Sequence, residues 1–292
     1  AVLLNQDISV NSNSLGLVGF GKDITFNSTL DGANNIQTTS GAGNTTFTGN
    51  IGSTVSPLAI LVNSTNRLTV RGTVNADSFS VTSATNTVQF DGVQAYDQLA
   101  GLNVTTSTAN GDVSISGAVT VSNNAQISIN NSGLLIISNG ANLTTNSGNI
   151  LLGGGGSGKI LVAANLISNT GSILVQNATE LQSDISVTNN GGNVVFSQTL
   201  DSNSGGARSL NLSGNNSSLF TFNAAVGSIN RLGTITVNSS SGVLFNSSLS
   251  AGALNILDSI NSIIVSGNLF LTGNLTTTLT TNAYNLSLLG LN

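Results

Sequence analysis

The sequence predicts an all-β solenoid, in which the chain winds into stacked coils of short parallel strands. A phrase of three β-type residues, a short polar stretch and one apolar residue returns at intervals in the low twenties, first as ITFNSTL at 24–30 and next as TTFTGNI at 45–51. A repeat of this length is typical of solenoids. No stretch of the sequence keeps a helical period with capping residues. Pairs such as Asp31-Gly32, which favour turns, separate the phrases.

The spacing of the phrases predicts the number of coils. Each phrase is anchored by the third residue of its strand, and an apolar residue follows the anchor four positions later. About eleven turns of roughly 22 residues separate the first anchor from the last, which predicts about 11–13 coils. The anchors and their followers are Phe26/Leu30, Phe47/Ile51, Val70/Val74, Ile115/Val119, Val162/Leu166, Phe196/Leu200, Phe222/Val226, Phe245/Leu249 and Val265/Leu269.

Two parts of the pattern are irregular. Phe90 fits less well, because its apolar follower, Val93, comes only three positions later. The step from Val162 to Phe196 exceeds one turn and predicts an irregular turn near Ile173. Residues 118–158 have a looser pattern, which we interpret as the same rod with altered turns. We therefore expect residues 1–292 to form a single continuous solenoid, a segment or processed form of a longer chain.

Alternation within the strands assigns side chains to the inside or the outside. Ile24 and Phe26 point one way and Thr25 points the other. Because parallel coils stack at about 4.8 Å, like residues should form ladders, with Phe, Val and Leu inside and Thr, Ser and Asn at the turns. The end sequences Ile8-Ser9-Val10 and Leu286-Ser287-Leu288 have the same pattern without a polar cap. Solenoids need capped ends, so we expect the rod to continue into further sequence or to stack end to end.

Composition excludes several classes of protein. Only 6% of residues are charged and the net charge is −5, whereas an ordinary domain has about 25% charged residues. The 43 Asn residues, with Ser and Thr, must supply the polar surface. Without a basic stripe, nucleic acid is a poor partner, and without a long apolar run no transmembrane helix is expected. The absence of Cys and His removes disulfides, thiolate metal sites and the commonest general base.

One glycine-rich stretch is similar to a phosphate-binding loop. Gly153-Gly154-Gly155-Gly156-Ser157-Gly158-Lys159 follows a predicted strand. The next residue should be Ser or Thr and should open a helix, but it is Ile160, and residues 160–162 are predicted as another strand. We interpret the stretch as a glycine turn and expect no cofactor.

Calcium is the one metal considered, because the sequence offers Asp side chains but no Cys or His. Asp91 and Asp112 are about one turn apart, so their side chains could stack. Calcium takes six to eight oxygen ligands, and the glycine-rich Asp repeat of calcium-binding β-rolls does not occur. Solvated turn aspartates are the favoured interpretation, and no metal site is predicted.

A polysaccharide lyase or hydrolase is the enzyme class that remains open, because many of these enzymes are β-helices. Such sites need clustered carboxylates. The ten Asp residues and Glu180 are scattered, and the close basic pair Arg67 and Arg71 is expected to flank a turn. We predict no catalytic residues and no enzyme activity.

Three segments resemble repeats in very large bacterial surface proteins of the filamentous-haemagglutinin and autotransporter-passenger kind. These are ITFNSTLDG at 24–32, LISNTGSILV at 166–175 and FNAAVGSINRLGTITV at 222–237. The resemblance implies a right-handed parallel β-helix on the bacterial exterior, associated with the outer membrane, that acts in adhesion, surface coating or biofilm. It implies no shared catalytic residues.

Together these observations predict a structural protein, either a rod-like adhesin stalk or a fibre- or surface-layer-forming solenoid. Its expected partners are other copies of itself, end to end or side by side, and host or matrix glycans or proteins. The alternative is a β-helix that binds carbohydrate or degrades polysaccharide. Most Phe residues are assigned to the core, which counts against an aromatic glycan groove.

Overall fold

The computed structural model describes residues 1–154, 158–278 and 282–290, with the backbone alone at Gln98 and Leu99. The described chain is all β, without a helix, and forms a β-solenoid of about 12 turns with about 23 residues per turn. It therefore contains no helix that could cross a membrane among these residues. The predicted solenoid, its repeat length and its number of coils are confirmed.

The strands are short and follow one another closely. In chain order they are β1 (Val2–Leu4), β2 (Ile8–Ser9), β3 (Leu15–Val18), β4 (Ile24–Phe26), β5 (Leu30–Asp31), β6 (Ile36–Thr39), β7 (Thr45–Phe47), β8 (Ile60–Ser64), β9 (Leu68–Val70), β10 (Val74–Ala84), β11 (Val88–Phe90), β12 (Gln94–Thr106), β13 (Val113–Ile115), β14 (Val119–Val121), β15 (Ile127–Asn130), β16 (Leu135–Ile137), β17 (Leu143–Thr145), β18 (Ile150–Leu152), β19 (Ile160–Val162), β20 (Leu166–Ser168), β21 (Ile173–Val175), β22 (Thr179–Leu181), β23 (Ile185–Asn189), β24 (Val194–Phe196), β25 (Leu200–Ser202), β26 (Leu210–Ser213), β27 (Leu219–Phe222), β28 (Leu232–Ser239), β29 (Gly242–Phe245), β30 (Leu249–Ile256), β31 (Ile263–Val265), β32 (Leu269–Leu271), β33 (Leu275–Thr277) and β34 (Leu286–Leu288).

The strands line three faces of the coil, and each strand pairs in parallel with the equivalent strand of the next coil. Face A is the ten-stranded sheet β1-β4-β7-β9-β11-β13-β16-β19-β22-β25, continued by single bridges at Val226 to β30 and then β32. Face B runs from β2 and β5 through the first halves of β10 and β12, then β14, β17, β20, β23, β26, β28, the end of β30 and β33. Face C contains β3, β6, β8, the second halves of β10 and β12, β15, β18, β21, β24, β27, β29, β31 and β34. We number the coils 1 to 13 by these face-C strands.

Inward-facing aromatic rings stack along the axis. In β4, Ile24 and Phe26 are buried while Thr25 is half-buried, which confirms the predicted alternation. The rings of Phe26 and Phe47 lie 4.7 Å apart at 12°. A second stack joins three coils through Phe222, whose ring centroid is 5.2 Å from Phe196 and 4.8 Å from Phe245. The predicted inner ladders are thus present.

The repeated phrase changes face along the chain. Phe26 lies on face A and its follower Leu30 on face B, whereas Phe196 lies on face C and its follower Leu200 on face A. The long step before Phe196 is therefore one coil plus a move from face A to face C. The irregular turn that we predicted near Ile173 is wrong, since β21 is a regular face-C strand. The sequence could not show the move, because a connection of three polar residues joins face A to face B after Phe26 and also joins face C to face A after Phe196.

Phe90 is a regular anchor, contrary to the sequence interpretation. Four positions later Gln94 pairs with Val74 and points inward, fully buried, while Val93 is 53% exposed. Burial is tolerated because Gln94 donates a hydrogen bond to Gly92 O at 2.7 Å and accepts one from the buried Tyr96 hydroxyl at 2.8 Å. A search for an apolar residue four positions after each anchor cannot find a buried polar residue such as Gln94.

Several glycines serve stacking and not only turns. Gly32 and Gly140 have positive φ, as turn glycines often do. Gly92 and Gly192 do not; a Cβ on Gly92 would lie 2.2 Å from the carbonyl oxygen of Gly72 in the coil before. Glycine columns with this close contact include Gly49, Gly72, Gly92 and Gly117, and also Gly148, Gly171 and Gly192.

Candidate functional site

Amide ladders run along the corners of the solenoid. Asn66 donates a hydrogen bond to Asn44 Oδ1 at 3.1 Å, and Asn86 donates to Asn66 Oδ1 at 2.6 Å. Asn169 donates in the same direction to Asn146 at 3.1 Å. Single amide pairs also join Asn5 to Asn27 and Asn223 to Asn246 at corners, and Asn211 to Asn238 on face B. The predicted polar ladders are present, and their amides bind neighbouring coils to each other.

Aspartates also connect successive coils. Asp112 Oδ1 accepts the backbone N–H of Leu134 at 2.7 Å, and Asp184 Oδ1 accepts that of Ser209 at 2.8 Å. Each bond spans one coil, so these carboxylates fasten the next coil in register. Asp7 accepts three bonds from Ser28 and Thr29 in the following coil, and these bonds lower the pKa of its carboxyl group.

Asp91 and Asp112, which the sequence would allow to stack, do not lie together. Asp91 follows β11 and Asp112 precedes β13, so the two residues lie at opposite ends of paired strands. Asp91 instead accepts a hydrogen bond from Gln89 at 2.8 Å. Residues 1–154, 158–278 and 282–290 contain no cluster of three or more acidic side chains that could hold a metal ion.

The glycine-rich stretch ends in a strand. Residues 160–162 form β19, and no helix opens there to receive a phosphate group; residues 155–157 of the stretch lie outside the described part of the chain. Lys159 forms an ion pair with Glu180 on the next coil of face A. The pKa of the Glu180 carboxyl group is lowered, mainly because Lys159 donates a hydrogen bond to it. Arg67 and Arg71 flank strand β9, not a turn.

A shallow polar groove of about 330 Å³ lies on the outer side of face B. Its floor is the in-register series Ser186, Asn211 and Thr236. Asn165, Asp184, Ser209 and Thr234 also line the groove, as do the buried residues Ile185 and Leu210. The lining holds one carboxylate, no cation and no aromatic ring, so it can exchange hydrogen bonds with a polar ligand but has no acid–base pair. Sequence reasoning missed it, although each floor residue is the polar centre of an apolar-polar-apolar triplet.

The aromatic residues are mainly internal. Phe26, Phe47, Phe79, Phe90, Phe196, Phe220, Phe222 and Phe245 are buried, which confirms their assignment to the core. Tyr96 is also buried, which raises the pKa of its hydroxyl well above the ordinary value. Phe20 and Phe270 are exposed at 89% and 58%, on coils at opposite ends of the chain, so they form no common platform.

The first and last described coils leave inward side chains partly uncovered. Val2, Leu4, Ile8, Leu15 and Leu17 of coil 1, and Leu269, Leu271, Tyr284 and Leu286 of coil 13, pack against the core on one side only. Beside coil 13 a cavity of about 420 Å³ is lined in part by Leu269, Phe270 and Leu288. Such edges could accept a further coil of the same geometry, and axial continuation stays a prediction.

No family model, curated protein or solved structure is significantly similar to this chain.

Proposed function

We propose that this chain is a structural rod of a bacterial cell surface, a stalk or fibre-forming segment exposed outside the outer membrane. The observation that best supports this function is that polar side chains join consecutive coils. Amide and carboxylate groups, which in other proteins often bind ligands, here form hydrogen bonds from one coil to the next. The resemblance of the repeats to bacterial surface proteins supports the location.

The mechanism is mechanical. Each coil is held to the next by parallel strand pairs on three faces, by stacked inward side chains and by the corner ladders. Extending the rod from its ends would therefore require separating one coil at a time. A coil of about 23 residues lengthens by about 75–80 Å when fully extended.

Single-molecule force spectroscopy tests the mechanical role. We expect a series of force peaks separated by multiples of about 75–80 Å, since one coil is the smallest unit that can leave the stack. A smooth extension without peaks would contradict the proposal. Antibody labelling of intact cells of the source organism tests the location separately, and labelling only after cell lysis would exclude the surface.

The face-B groove favours a second candidate function, the binding of a neutral glycan. Its floor offers hydroxyl and amide groups to sugar hydroxyls, and its single carboxylate, Asp184, favours binding over hydrolysis. Thr236→Val, which removes one floor hydroxyl and keeps the side-chain shape, should weaken binding of a responsive neutral oligosaccharide several-fold in an NMR titration. Thr25→Val on face A is the matched control. Equal binding by both variants would exclude the groove.

A further inference from the structure

The outer side of face C carries a line of six outward side chains over six coils, and five of the six are apolar; the exception is Thr221. We call it the face-C ridge. Adjacent members are direct partners in the strand register, and the line is bounded by Ser128 of coil 6 and Ser287 of coil 13. Its members, from coil 7 to coil 12, are Leu151, Leu174, Val195, Thr221, Leu244 and Ile264.

These side chains point away from the core. Each lies between two buried residues, and it is itself only partly buried. The outward line on face B is polar from coil 9 to coil 13, where it runs through Ser186, Asn211, Thr236, Asn255 and Thr276, although Ile167 is outward on coil 8. Hydrophobic side chains aligned on an outer surface mark an interaction site more often than scattered ones do.

The surroundings of the ridge are uncharged. The five-residue segments centred on its members are 149–153, 172–176, 193–197, 219–223, 242–246 and 262–266, and they contain no Asp, Glu, Lys or Arg. A second copy of the same face could therefore approach without charge repulsion. The coil spacing of about 4.8 Å would also match along the whole contact, as it does between identical sheets in dry β interfaces.

We propose that two copies of this chain pair side by side through their face-C ridges, in an isologous, antiparallel arrangement. A two-fold axis between β24 and β27 would bring Val195 of one copy to Thr221 of the other, a pair of β-branched side chains of similar shape. The same axis matches Leu174 with Leu244, and Leu151 with Ile264. This inference rests on the proposed rod function and names its lateral partner.

The size of the ridge predicts the strength of the contact. Six coils span roughly 25 Å, and a strand with its flanks is about 15 Å wide, so each copy would bury on the order of 400 Å². The total of about 800 Å² lies below the usual range for stable complexes. We therefore expect a reversible dimer that forms at micromolar or higher concentrations.

Sedimentation velocity over a concentration series tests the pairing. The wild-type chain should shift from monomer to dimer, and the double variant Leu174→Asn/Leu244→Asn should weaken the association at least tenfold. The control is Ile136→Asn/Leu161→Asn, which places the same polar groups at outward positions of face A and should associate like wild type. Circular dichroism establishes that each variant keeps the β fold.

Two results would overturn the pairing: a wild-type chain that stays monomeric, even if it binds a glycan through face C, or a face-C variant that associates like wild type. If the wild-type monomer still shows the coil-sized force peaks, the rod function survives this failure.

Cysteine cross-linking tests the orientation, because the chain has no native Cys. Mixed Val195→Cys and Thr221→Cys variants should cross-link to each other more than to themselves. Preferential cross-linking of Val195→Cys to itself would contradict the antiparallel arrangement.

Discussion

Phe222→Ala should destabilise the second aromatic stack strongly. The ring is 1% exposed and lies between two others, at centroid distances of 5.2 Å from Phe196 and 4.8 Å from Phe245. Truncating a buried Phe to Ala costs about 3–5 kcal/mol, and each lost aromatic pair adds about 0.5–1.5 kcal/mol beyond area. Since strand pairing holds the neighbouring coils in place, the site cannot collapse readily. We expect a loss of about 5 kcal/mol.

Urea denaturation followed by circular dichroism gives the change in unfolding free energy, and hydrogen exchange locates it. Because a solenoid unfolds in units that contact only their neighbours, exchange should increase most in coils 9–11. Phe222→Leu fills much of the cavity and should cost about 1–2 kcal/mol. Phe270→Ala, on an exposed ring, is the matched control and should cost less than about 0.5 kcal/mol. Equal losses for Phe222→Ala and Phe270→Ala would refute the assignment of this ring to the core.

Three further predictions concern other features of the stack. Gly92→Ala should cost about 1–3 kcal/mol or more in urea denaturation, because its Cβ would overlap a carbonyl oxygen of the coil before it; Gly16→Ala, which meets nothing within 4 Å, should be nearly neutral, and similar losses would disprove the glycine column. Gln94→Leu and Tyr96→Phe should each lower the free energy of unfolding by about 1–3 kcal/mol, because each leaves a buried polar atom unpaired. The double variant should lose less than the sum of the two single losses. Strictly additive losses would show that the hydrogen bond is not formed. The lowered pKa of Glu180 means that its ion pair stabilises the fold above the unfolded-state pKa and is lost as the pH falls through the folded-state pKa; an NMR titration should give a carboxyl pKa below the ordinary value, and an ordinary or raised one would contradict the ion pair.

Local patterns were sufficient to predict the coils. Alternation in segments such as Ile24-Thr25-Phe26 reports burial directly, because successive side chains of a strand point to opposite sides. Repetition of that pattern at nearly constant spacing then requires stacking, and the aromatic and amide ladders follow from it. The same local logic failed at Gln94, where a buried hydrogen bond with Tyr96 replaces an apolar contact.

The groove and the ridge could not be predicted, because they depend on which residues of different coils become neighbours. Unequal numbers of residues separate Leu151, Leu174, Val195 and the later members of the face-C ridge, so no fixed period aligns them. Only the strand register brings them into one line.

The sequence by itself therefore determined that this protein is a β-solenoid, the length of its repeat and the inward position of most of its aromatic rings. These properties depend on short segments whose inward and outward sides are chemically distinct. The tertiary structure alone decided which face each segment occupies, which glycines lie against a carbonyl of the preceding coil and which outer side chains form a continuous surface. The physical reason is that the corners accept connections of different length while hydrogen bonding between strands fixes the register.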